Sequence, residues 1–206
     1  MSPRTRILTA AILAVLSVGC SSNKVLVPPR IDLARYGTLG MIEFSSGRPD
    51  PAVPGATREF LATLQSAQPG TPVLELGPEP GVLGTVRRPV LDVQAIQAIG
   101  KHYKVDALVL GALEFEEIRP NVTVGSGVGI RADLAGTLST RIVDTRTGAT
   151  IWTTAASGRE PIAGVRVGGS GISGGGTLDP SGARDKLARD LVARATSDFW
   201  PRWERR

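Results

Sequence analysis

Apolar positions along this chain follow first no period, then helical and strand periods in turn, and finally a two-residue alternation that closes on a helix. Met1-Ser-Pro-Arg-Thr-Arg6 precedes a mainly apolar run from Ile7 to Val18. A basic start before a run that short reads as the core of an export signal, since a membrane span needs about 20 apolar residues. Residues 20–35 have little periodicity and contain Pro28-Pro29, so they read as a flexible tether reaching roughly 50 Å when extended. The folded part is expected from Tyr36.

From there elements alternate. Thr38 to Phe44 (TLGMIEF) is a short apolar strand, and Pro54 to Gln65 carries Phe60, Leu61 and Leu64 at helical spacing. Thr71 to Leu76 (TPVLEL) is a second strand. Asp92 can cap a helix with Ile96, Ile99 and Tyr103 on one face, and Val105 to Leu113 (VDALVLGAL) reads as a buried central strand. This β-α-β-α-β order implies parallel neighbours covered by helices. Ile130 to Val143 then alternates apolar with polar, Asp144-Thr-Arg-Thr-Gly148 supplies turn chemistry, and Ala149 to Ala155 returns as the second strand of a hairpin. Gly148 suits a positive φ there, and Asp144 can accept from turn amides, so both are expected to be structural. Gly164 to Thr177 reads as a glycine- and serine-rich loop. Asp179-Pro180 opens a final helix through about Phe199, with Leu187, Leu191, Val192, Ala195 and Phe199 on its apolar face. The expected fold class is α/β: one domain over residues 36–200, in two or three layers, with a mixed sheet, an antiparallel hairpin and a C-terminal helix, followed by a tail at 201–206.

The end of the apolar run sharpens the export signal. Leu16-Ser-Val-Gly-Cys20 resembles the bacterial lipobox, at which a dedicated peptidase cuts just before a lipidated cysteine. The resemblance makes residues 1–19 a lipoprotein signal peptide and Cys20 the lipidation site. Ser17, where such boxes more often carry Leu, leaves open an ordinary secreted protein with a cysteine at its cleavage site. Cys20 is the only cysteine, so no internal disulfide can form. No aspartate follows it. Under enteric-type sorting rules that places the protein on the outer membrane, lipid-anchored and facing the periplasm. Loss of residues 1–19 takes Arg4 and Arg6 with it and lowers the formal charge from +5 to +3, a mild excess, while aromatics are only 4%. Neither points to nucleic acid, and no basic-aromatic stacking motif is present.

Two phrases carry a family resemblance: the strand Val105-Asp106-Ala107-Leu108-Val109-Leu110-Gly111 after its helix, and Val143-Asp144-Thr145-Arg146-Thr147-Gly148 at the hairpin turn. Together with the lipobox they resemble the CsgG-like curli-assembly lipoprotein family, related to penicillin-binding-protein activator lipoproteins and the TolB amino-terminal domain. The resemblance covers roughly residues 36–200 and implies an anticodon-binding-domain-like α/β fold. Physics accounts for Asp106 as well, as a residue satisfying the preceding helix end. The curli channel adds amphipathic hairpins of about ten residues per spanning strand. This chain reads as lacking two such hairpins: only Asn121 to Val143 could donate one, with Arg131 and Asp133 standing against a lipid-facing alternation. A pore former is therefore not expected.

Catalytic chemistry is sparse. His102, the only histidine, lies beside Lys101 and Lys104 where the helix dipole favours a cation, and reads as a solvated cap. One histidine and one lipid-committed cysteine exclude a tetrahedral zinc site, and neither Ser-x-x-Lys nor Gly-x-Ser-x-Gly occurs after residue 20. Gly125-Ser-Gly-Val-Gly129 and the run from Gly168 to Gly176 lack the context of nucleotide loops. Glu114, Glu116 and Glu117 read as a solvated edge, and the sequon Asn121-Val-Thr123 as incidental. No catalytic, cofactor or metal residue is assigned, and no enzyme is expected. The tail Phe199-Trp-Pro-Arg-Trp-Glu-Arg-Arg206 holds two of the three tryptophans. Phe199 and Trp200 can seal the core, leaving Arg202 and Trp203 as candidate partner-binding residues. The expectation is a non-enzymatic envelope lipoprotein acting as a binding or assembly module on another envelope protein, or alternatively a subunit of an oligomeric ring or channel.

Overall fold

The computed structural model describes residues 24–124, 127–168, 171–175 and 180–205. The signal segment and Cys20 lie outside them. Arg30–Trp200 forms one unit, and the described residues on either side of it form a second.

In the larger unit the expected β-α-β-α-β order is present, with one added helix. Strands β2 (Leu39–Ile42), β3 (Val73–Gly77) and β4 (Ala107–Phe115) are parallel, in the order β3-β2-β4. Helix α1 (Ala52–Ala67) starts where Asp50 accepts from the Ala52 amide at 2.9 Å. Helix α2 (Glu79–Val86) has no counterpart in the sequence reading. Helix α3 (Val93–Tyr103) is capped as expected, Asp92 Oδ1 accepting from the Ala95 amide at 2.7 Å, a contribution of about 1 kcal/mol. Strands β6 (Gly127–Asp144) and β7 (Thr150–Gly168) continue the sheet antiparallel to β4, and helix α4 (Pro180–Ala195) follows.

Sheet residues divide between two cores. Met41, Val109, Leu113, Leu138 and Ile142 pack with Phe60 and Leu64 of α1 and Leu187 and Leu191 of α4. On the opposite face Ile42, Leu108, Leu110 and Val143 pack with Val82 of α2 and Ile96 and Ile99 of α3. The fold is therefore a three-layer α/β/α arrangement around a mixed sheet. Ile31 and Leu33 are buried in the first core, and the Leu33 amide donates to Gln68 Oε1 at 2.7 Å. Hence the folded unit starts at Arg30, before Tyr36 and within the stretch expected as tether. The apolar positions there pack on the end of α1 rather than remaining in solvent.

A larger correction concerns the far end of the sheet. Gly164–Gly168 belongs to β7, and Gly171–Gly175 is strand β8, paired antiparallel with β7. Likewise Gly127–Gly129 lies in β6, paired with β5 (Arg119–Val124). Both glycine-rich stretches thus contribute strands, because an alternating partner supplies the backbone hydrogen bonds that their own composition does not favour. Besides the expected β6–β7 hairpin, two further antiparallel pairs, β5–β6 and β7–β8, occur among the described residues, where the sequence reading allowed only one from Asn121 to Val143. Register aligns Val122, Ile130 and Val165 in one rung and Val124, Val128, Val167 and Ile172 in another. Of the two residues read as standing against a lipid-facing alternation, Arg131 pairs with Asn121 and Gly164, and Asp133 pairs with Arg119 and Pro161 where the register of β6 against β7 shifts.

Candidate functional site

The two phrases that carry the family resemblance meet in space. Asp106 Oδ2 accepts from the Thr38 amide at 2.9 Å, and the Asp106 amide donates to the Thr38 carbonyl at 2.8 Å, so this aspartate anchors the start of β2 rather than the end of α3. Thr145, buried, donates from its hydroxyl to the Val105 and Asp106 carbonyls at 2.7 and 2.9 Å, joining the hairpin turn to the start of β4. Gly111 has a close-packing reason: a Cβ there would stand 2.4 Å from Cδ1 of Phe44. These contacts build the fold and leave no reactive group.

The turn itself is a closed network. The Thr147 hydroxyl and amide donate to Asp144 Oδ1 at 2.8 and 2.7 Å, the Gly148 amide donates to the Asp144 carbonyl at 2.8 Å, and Gly148 has φ +73°. These Thr147 bonds, the hydroxyl first, with Arg146 adding its charge, hold the Asp144 carboxyl below its ordinary value of 3.8. A lowered folded-state value means that the stabilisation is complete above the unfolded value and is lost as pH falls through the folded one. Asp144→Asn should therefore flatten the decline in stability between pH 7 and about pH 3, read from urea unfolding at both. Since the carboxylate is largely solvated, the change is expected to be small.

No catalytic constellation appears among the described residues. His102 is exposed in the last turn of α3, its ring 4.7 Å from that of Tyr103. Glu114 Oε1 accepts from the Gly47 amide at 2.7 Å and Glu117 pairs with Arg48 at 3.3 Å, so two of these carboxylates hold the loop after β2. A cavity of about 290 Å³ opens where the α2–α3 layer ends, with Ile42, Leu91 and Leu110 as apolar lining and Glu43, Glu79 and Arg141 as its charged groups. Its Ser45 hydroxyl donates to the Gly111 carbonyl at 3.3 Å. No group of residues that could hold a metal ion occurs among those described.

The tail separates into core and surface. Phe199 is fully buried, its ring 5.9 Å from Phe60 and 4.9 Å from Trp152, whereas Trp200 is exposed. Beyond it β9 (Arg202–Arg205) pairs antiparallel with β1 (Lys24–Val27), so part of the expected tether forms a ribbon with the tail. The register is Lys24 with Arg205, Val25 with Glu204, Leu26 with Trp203 and Val27 with Arg202. Arg202 and Trp203 therefore lie on opposite faces, and Arg202 Nε pairs with Glu204 at 3.2 Å. The shared face of Leu26 and Trp203 could not be read from the sequence; only the exposed tryptophan signalled it.

No family model and no curated protein matches the chain. Solved structures similar to it include the PelC dodecamer from Paraburkholderia phytofirmans, 14% identical over 87% of this chain and 99% of that one, TM-score 0.45. Lipoprotein GNA1162 from Neisseria meningitidis is 18% identical over 77% of this chain and 96% of that chain, TM-score 0.42. The LpoB C-terminal domain from Escherichia coli is 8% identical over 72% and 93%, TM-score 0.34. The structural neighbours thus include bacterial lipoproteins. Among the described residues no helix is long and apolar enough to cross a membrane.

Proposed function

We propose that this chain is a non-enzymatic outer-membrane lipoprotein, held on the periplasmic face by lipid on Cys20, whose α/β domain is a binding and assembly module in envelope biogenesis or secretion. The curli-assembly likeness belongs to the same proposal and rests on the two phrases joined at Thr145. One observation carries the binding role: the four-stranded end of the sheet, β5-β6-β7-β8, whose register aligns Val122, Ile130 and Val165 and, two positions along, Val124, Val128, Val167 and Ile172. A sheet end with valine and isoleucine at aligned register positions suits burial against an envelope protein. Val124→Ser with Val167→Ser should leave the melting temperature of the chain within a few degrees and abolish in-cell crosslinks to its neighbours. Unchanged crosslinking with an intact fold would refute the role.

A second reading, the ring or channel subunit, is favoured by the outer edges of β5 and β8, which pair with no further strand among the described residues and so could template further pairing. The two readings part on one pair of measurements. A module gives a small species in solution and no conductance in liposomes; a ring of defined size with stable conductance reverses the order.

A further inference from the structure

We infer that the β1–β9 ribbon is a membrane-facing element, laying its Leu26–Trp203 side on anionic lipid headgroups beside the anchor. The inference rests on the proposal that Cys20 is lipidated.

Register and strand geometry give the ribbon two unlike faces. Residues directly opposed in an antiparallel pair share a side and those adjacent along a strand do not, so Lys24, Leu26, Trp203 and Arg205 occupy one face and Val25, Val27, Arg202 and Glu204 the other. On the second face Arg202 and Glu204 neutralise one another in an ion pair of 3.2 Å. On the first, neither Lys24 nor Arg205 takes part in an ion pair among the described residues, while Leu26 is 50% exposed and Trp203 65%. That face is two cations around an exposed aliphatic and indole pair. Tryptophan is enriched at membrane–water interfaces, where its ring sits at headgroup level, and basic residues are attracted to anionic lipid.

Position along the chain selects the occupant. Lys24 follows Cys20 by four residues, a path of at most about 14 Å when extended. A lipid on Cys20 therefore keeps the ribbon within headgroup distance of the membrane whatever else the chain does. Two strands of four residues are marginal in water on their own. A lipid surface gives the exposed Leu26 and Trp203 somewhere to be buried, and complements the two uncompensated charges.

The test uses the processed chain, residues 20–206, with Cys20→Ser so that no acyl chain contributes. It is mixed with phosphatidylethanolamine vesicles containing roughly one-third phosphatidylglycerol, or with phosphatidylcholine vesicles. Expected are cosedimentation with the anionic vesicles that weakens with salt, weaker binding to phosphatidylcholine, and a blue shift in emission that Trp203→Phe removes or alters. Lys24→Gln with Arg205→Gln should weaken anionic binding about 30-fold. Arg202→Gln with Glu204→Gln, on the other face, should leave it unchanged. Circular dichroism of each variant guards against misfolding. Equal binding by both charge variants, or no binding to anionic vesicles, overturns the inference. So does a photocrosslinker at position 203 that captures protein and not lipid in cells. Acyl labelling of the wild-type chain separates the two proposals. Labelled chain without vesicle binding sinks the ribbon's role alone, and vesicle binding without label sinks the anchor alone.

Discussion

Phe60→Ala should lower the melting temperature of this protein by about 6–20 °C, the largest effect expected of any single truncation in its core. Phe60 is fully buried on α1, and its ring stands between two others, 5.3 Å from Phe44 and 5.9 Å from Phe199, at interplanar angles of 71° and 88°. Edge-to-face pairs of this kind contribute about 0.5–1.5 kcal/mol each beyond area burial, and a buried Phe→Ala change costs about 3–5 kcal/mol. For a unit spanning Arg30–Trp200, each kcal/mol moves the midpoint by about 2–4 °C. The site has little freedom to collapse. Phe44 lies against Gly111, and Phe199 is held by Trp152, whose Nε1 donates to Asp198 at 3.2 Å. Phe60→Leu should lose less than half as much, since it keeps most of the volume. Thermal unfolding followed by circular dichroism checks both, and a drop under about 3 °C for the alanine variant would mean that the aromatic cluster is not the centre of this core.

That cluster also marks how far the sequence could be read. Helical spacing in α3 and α4 was legible because each buries one stripe, Ile96 and Ile99 in one case and Leu187, Leu191 and Val192 in the other. Asp92 announced its helix because a cap is local chemistry. Helix α2 was not legible: Pro80, Gly81 and Gly84 are poor helix formers, and only the packing of Val82 and Leu83 sustains it. Strand β8 failed for a related reason, since a stretch of glycine and serine becomes a strand only when Val165-Arg-Val167 lies beside it. The ribbon is the extreme case. Its partners stand at opposite ends of the chain, four residues each, and no local pattern announces a pairing between positions 24–27 and 202–205. The exposed Trp203 was readable as a candidate contact, whereas its separation from Arg202 and its union with Leu26 depend on register.

Cys20→Ser should leave an unprocessed precursor, or a protein found away from the outer membrane, and should abolish acyl labelling. The chemical basis is the thiol. In a lipobox the cysteine sulfur takes up the lipid before the peptidase cuts on its N-terminal side, and a hydroxyl at that position is not the group modified. Without cleavage, the run from Ile7 to Val18 remains attached to a chain whose described residues contain no helix long and apolar enough to cross a membrane. That run is too short for a stable span of about 20 residues, so retention should be partial and at the wrong membrane. Each buried methylene of an acyl chain contributes about 0.8 kcal/mol, so losing several chains removes far more membrane affinity than the ribbon's two charges could restore. Fractionation of cells expressing both forms, with labelled palmitate and an immunoblot for precursor size, reads every part of the expectation. Normal cleavage followed by release into the soluble fraction, with no label on the wild-type chain, would identify an ordinary secreted protein. Normal cleavage with full outer-membrane retention of the serine variant would mean that something other than Cys20 holds the protein there.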